Sequence, residues 1–262
     1  MPDHFALLPS KARRGSKPRC HLLTHGPAEE VAARLTGLVQ PWGRVEPTDN
    51  WMPQGFVDLT EAQLGTAPRL LNDACRAALR SWWLAVPHPQ ASTLNWDIAS
   101  TCIIGGRKGL LLIEAKAHDK ELRFEEAPKP SKPAATENSQ NNHKQIGACI
   151  QEATVGLTQA TGLQWALSRD THYQMSNRFA WAWKLTELGV PVTLIYLGFL
   201  NADEMADRGK PFASEADWQQ LVKAHSEPLF PESVWDRKWE INRQDFVPLI
   251  KMAVVPLDRL RT

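Results

Sequence analysis

The run Gly109–Ala117, GLLLIEAKA, constrains this chain more than any other segment. Leu110, Leu111, Leu112 and Ile113 are apolar on both faces of an extended chain, the pattern of a strand buried in the middle of a sheet. Glu114 and Lys116 then interrupt it two residues apart, so the pleat turns both to one face. Opposite charges in a central strand are costly to desolvate unless partners or a metal compensate them. A chain that carries such a pair has a use for it.

A second strand-like run, TLNWDIASTCII (93–104), precedes the first, and Gly105-Gly106-Arg107-Lys108 lies between them. Glycines between two β-rich runs signal a hairpin. A two-residue turn at Gly105-Gly106 sets Asp97 opposite Glu114, whereas a four-residue loop sets it opposite Lys116. Because the pleat repeats every two residues, both registers gather Asp97, Glu114 and Lys116 on one face. A three-residue loop would send Asp97 to the other side.

Helical spacing marks AEEVAARLTGLV (28–39) behind Pro27, and PRLLNDACRAALRSWWLAV (68–86) ahead of Pro87. A third helix carries Ile146, Cys149, Ile150, Ala153 and Leu157, with Asn141 or Asn142 as its N-cap and Gly162 as its stop. A fourth, HYQMSNRFAWAWKLTEL, ends at Gly189 before VPVTLIYLGFL, a buried strand. In the C-terminal third only a short helix (Glu215–Ala224) is legible among Trp- and Pro-rich segments. Two stretches read as unpacked. Residues 1–26 carry Lys11, Arg13, Arg14, Lys17 and Arg19 and resemble a basic, flexible arm, and FEEAPKPSKPAATENSQ (124–140) reads as a mobile loop. The rest, 27–262, is one domain with its core at about 68–200.

Composition excludes several classes. Thirty basic and 29 acidic residues leave a net charge of +1, too balanced for a protein that binds nucleic acid over its whole surface, though not for a local basic cleft. Four dispersed cysteines (Cys20, Cys75, Cys102, Cys149) form no C-x-x-C pair, which argues against a zinc ribbon or a disulfide framework and suits a reducing compartment. With neither a secretory leader nor an apolar run of membrane length, the expectation is a cytoplasmic protein that does not engage membranes.

Two carboxylates and a lysine on one sheet face suit a divalent cation with oxygen ligands. Chance alone gives roughly one or two acid-x-Lys tripeptides in a chain of this composition. The chain has two, Glu114-Ala115-Lys116 and Asp236-Arg237-Lys238, and only the first lies on a strand behind a glycine hairpin. In that context the sequence resembles the PD-(D/E)XK nuclease superfamily, through Asp97, sixteen intervening residues, and Glu114-Ala115-Lys116. The likeness covers roughly Pro68 to Leu200. It departs from the pattern where Trp96 stands in place of the leading proline.

The resemblance implies an α/β fold with a restriction-endonuclease-like core, a mixed central sheet flanked by helices, and N- and C-terminal additions. It implies a nuclease that hydrolyses phosphodiesters with Mg²⁺ or Mn²⁺ and a metal-activated water. Asp97 and Glu114 become metal ligands and Lys116 the catalytic lysine. Glu61 ranks ahead of Glu29, Glu30 and Asp73 as an upstream acid completing the site. Gln145 is favoured over Lys144 as the polar residue on the following helix. Gln174, Asn177 and Arg178, at i, i+3 and i+4 on one helical face, are candidate nucleic-acid contacts. DNA is preferred over RNA from family tendency, and a homodimer or a protein partner is compatible. The alternative is a non-catalytic nucleic-acid-binding or scaffolding protein on the same fold.

Overall fold

The Gly105–Gly106 turn sets the register of the first hairpin. In the computed structural model, which describes residues 4–87, 93–130 and 135–260, both glycines have positive φ, 55° and 80°. That pair of left-handed residues is what a tight two-residue hairpin turn requires. Ile104 pairs with Arg107 and the ladder runs back to Ile98 opposite Ile113. One further step along this register sets Asp97 opposite Glu114, as the shorter of the two loops predicts.

The strands, in chain order, are β1 (Gly43–Arg44), β2 (Trp51–Met52), β3 (Ala62–Gln63), β4 (Asn95–Trp96), β5 (Ile98–Ile104), β6 (Arg107–Lys116), β7 (Val192–Phe199), β8 (Trp239–Ile241) and β9 (Gln244–Ala253). The main sheet runs β1-β5-β6-β7-β9-β8, with β2 also on β5, while β3 and β4 form a separate pair. It is mixed: β5 and β6 are antiparallel, β6, β7 and β9 are parallel, and β8 returns antiparallel on β9. Parallel neighbours need a crossover, and the chain between β6 and β7 supplies one built of helices.

The helices are α1 (His4–Leu7), α2 (Ser16–Leu23), α3 (Ala28–Val39), α4 (Asp73–Trp83), α5 (Asp119–Arg123), α6 (Glu137–Thr161), α7 (Tyr173–Glu187) and α8 (Glu215–Ser226). They cover both faces of the sheet, so the α/β class with a mixed sheet flanked by helices holds. On one face, Ile98, Leu111, Ile113, Ala115 and Ile195 meet Val31, Leu35 and Cys20 from α2 and α3. On the other, Ala99, Leu110, Leu112, Leu194 and Phe246 meet α4, α6, α7 and α8. The helices of this second layer approach closely. A Cβ at Gly156 of α6 would stand 2.4 Å from the Trp183 ring of α7, so glycine is needed at that crossing.

Two regions differ from expectation, and one strand lies where none was legible. The expected basic arm contains α2, in which Arg19, Cys20 and His21 are buried, because its apolar residues complete the first face of the sheet. The third helix starts earlier than Asn141: Thr136 is the N-cap and accepts from the Ser139 amide at 3.3 Å. The expected 124–140 loop is therefore partly helix. Its first part is packed as well, with Glu125 fully buried; residues 131–134 lie outside the described residues. The last strand, β9, lies in the C-terminal third where only a helix was legible, and it contains Pro248. The structure accommodates it because β8 covers only Gln244–Phe246, which leaves an edge beyond where a missing N–H is tolerated.

Candidate active site

β6 ends in the layer between the sheet and α7, and its last two polar side chains are both buried, Glu114 at 2% and Lys116 at 5% exposure. Every charge here has had to find a partner. Glu114 accepts from Gln174 Nε2 at 2.6 Å and Arg178 Nε at 2.7 Å, both from α7, and from Lys116 Nζ. Lys116 Nζ also lies 2.8 Å from Glu125. Glu125 in turn accepts from the Tyr196 hydroxyl at 3.2 Å and faces His225 Nε2 at 3.5 Å. Tyr196 neighbours Glu114 in the β6–β7 register. The result is one continuous ionic network with two carboxylates and two cations at its centre.

Asp97 closes the network on the hairpin side. It is half-buried, and its Oδ2 accepts from the Ala115 amide at 2.7 Å. Among the described residues no salt bridge reaches it. The packed protein around it and the charge of Glu114 push its carboxyl up to about 7, against the weaker pull of Lys116, the Ala115 amide and Arg178. Lys116 moves the opposite way from an ordinary buried lysine. Burial favours the neutral amine, but Glu114, Glu125 and Asp97 outweigh burial and raise it, so it stays protonated. Burial would raise Glu125 too, yet Lys116 and His225 prevail and hold it at about 2.

The sequence-derived set is thus divided. Asp97, Glu114 and Lys116 come together. Gln145 does not join them: its amide donates to the Trp82 carbonyl oxygen at 2.8 Å and ties α6 to the end of α4. Glu61 continues the β3–β4 register to a place opposite Asp97, but its carboxylate is engaged by Lys17 at 2.8 Å and Asn95 at 3.0 Å. Gln174 and Arg178 turn inward onto Glu114 instead of outward to a nucleic acid. Asn177 is buried with them, accepting from Arg178 at 3.2 Å. That face of α7, expected to present contacts to nucleic acid, is polar because it answers the buried carboxylate. Trp96, which stands in place of the leading proline, is fully buried with the Arg178 guanidinium 4.7 Å over its ring.

Glu125, Tyr196 and His225 went unforeseen. Tyr196 carried a signal, an aromatic hydroxyl inside a buried strand. Glu125 carried none, since it sits among prolines and charges.

Comparison of the chain with protein-family models, with curated proteins and with solved structures gave no match. Among the described residues no helix is long and apolar enough to cross a membrane.

Proposed function

We propose that the chain is a divalent-metal-dependent nuclease on a restriction-endonuclease-like core, with DNA the expected substrate. The observation that carries this reading is Asp97. A carboxyl raised to about 7 beside a second carboxylate, with no salt bridge of its own, is a donor set short of positive charge. Hard oxygen ligands of this kind suit Mg²⁺ or Mn²⁺, which Asp97 and Glu114 would hold. A bound ion would polarise a phosphoryl oxygen and lower the pKa of a water.

The chain's own residues supply the rest. Lys116, kept protonated by its carboxylate neighbours, orients the attacking water and offsets charge developing on the phosphate. Glu125 and Tyr196 fix where the ammonium points. Arg178, stacked on Trp96, adds a second cation beside the carboxylates. One observation favours the non-catalytic alternative: Glu114 already receives Lys116, Gln174 and Arg178, so a metal would have to displace some of these bonds.

The experiment incubates the protein and its Asp97→Asn and Lys116→Ala variants with supercoiled, linear and single-stranded DNA in Mg²⁺, Mn²⁺ or EDTA. Metal-dependent cleavage lost in both folded variants supports the nuclease. Absence of cleavage, with salt-dependent binding unchanged by EDTA, supports the binding protein.

A further inference from the structure

A second cluster lies behind Glu125, away from the carboxylates of the proposed nuclease site. Glu126, His172 and His225 each direct one ligand-type atom into a common space, all within 4.8 Å of one another. They come from three elements: the short turn Phe124–Glu126, the residue capping α7, and the last turn of α8. The His172 amide donates to the Glu126 carbonyl oxygen at 3.0 Å, and that of Tyr173 to Ala127 at 3.2 Å, so the backbone already joins two of them. His172 sits there at φ 47°, a left-handed conformation uncommon outside glycine. The two imidazoles are 4.9 Å apart. Among the described residues, His172 Nδ1 is buried without a hydrogen-bond partner.

We infer that Glu126, His172 and His225 form a binding site for a zinc-class divalent ion, distinct from the Asp97–Glu114 pair and independent of the nuclease reading. Two imidazoles and one carboxylate are a borderline-soft donor set that favours zinc over magnesium. Ligands on one tetrahedral ion stand about 3.3 Å apart, so the cluster needs a modest contraction. The Glu126 side chain is exposed and can move toward the buried His225.

The surroundings of His225 have the expected form. Its Nδ1 lies 3.8 Å from Glu126, and its Nε2 faces Glu125 at 3.5 Å. A ligand imidazole whose far nitrogen points at a carboxylate is the usual outer arrangement of a histidine–metal site.

The test uses the full chain without an affinity tag, stripped with EDTA and titrated with Zn²⁺ by calorimetry and with Co²⁺ by visible absorption. One equivalent of Zn²⁺ is expected, with the intense d–d bands of four-coordinate Co²⁺. His172→Asn and Glu126→Gln change the less buried ligands, and their fold is checked by circular dichroism. Each is expected to weaken Zn²⁺ by at least about 100-fold, above the typical effect of losing an outer partner. Asp97→Asn is expected to leave it unchanged, which separates this site from the nuclease reading. Failure to take up Zn²⁺, or uptake that is unchanged in both folded variants, would overturn the assignment.

Discussion

One strand, β6, is buried on both sides and solves burial in two different ways. Toward α2 and α3 it presents Leu111, Ile113 and Ala115, which pack into an apolar cluster. Toward α7 it presents Leu110 and Leu112, then changes to Glu114 and Lys116 while staying inaccessible to solvent. Apolar packing tolerates substitutions that preserve volume. The ionic end does not, because removing one member leaves its partners charged in a medium that cannot solvate them.

The largest expected effect is on the ionic side. Glu114→Ala leaves Arg178 and Lys116 short of counter-charge and is expected to cost about 3–5 kcal/mol in urea unfolding. A loss under about 1 kcal/mol would mean the network is solvated like a surface pair. On the apolar side, Ile113→Ala is expected to cost about 2–4 kcal/mol through lost burial and a cavity, with the same value in acid and in alkali. A pH-dependent loss would erase the contrast between the two faces.

Titration sharpens the contrast further. Glu125 is depressed in the folded chain, so its contribution is present above its ordinary range near 4.5 and lost as pH falls toward about 2. Glu125→Gln is expected to flatten the acid limb of the stability curve over that window. Asp97 has the opposite sign. Its raised value means that, between the ordinary aspartate range near 3.8 and about 7, the folded chain keeps a proton that the unfolded chain has lost. The stability Asp97 provides therefore falls as pH rises through that window. Asp97→Asn is expected to raise Tm at pH 8 by a few degrees relative to its effect at pH 4, read by calorimetry in EDTA. A Tm difference independent of pH would show that Asp97 ionises as an ordinary surface acid.

Much of this framework was legible in the sequence. Alternation and glycine placement were enough for the β5–β6 hairpin, the central position of β6, the helix behind Pro27 and the stop at Gly162. They were also enough to bring Asp97, Glu114 and Lys116 onto one face. What stayed hidden has a common physical cause. A polar helix face looks the same in sequence whether it meets water or a buried carboxylate, and Gln174 and Arg178 meet Glu114. Glu125 lies in a Pro-rich, charged stretch with no periodicity, so nothing local marks its burial. The β8–β9 turn uses Asn242 and Arg243 at positive φ instead of glycines, which removed the hairpin signal from the C-terminal third.

The wide sequence separation between Lys116 and the α7, β7 and α8 members of its network has a kinetic consequence. Arg178, Tyr196 and His225 can join Glu114, Lys116 and Glu125 only after β6 and β7 have paired across the helical crossover. Contacts that close such long stretches form late on the folding route. Substitutions in the network are therefore expected to act mainly on the unfolding rate, leaving the rate of folding nearly unchanged. The β5–β6 hairpin closes by local contacts, whereas the charges that reach the end of β6 from α7, β7 and α8 are expected to decide how long the finished structure lasts.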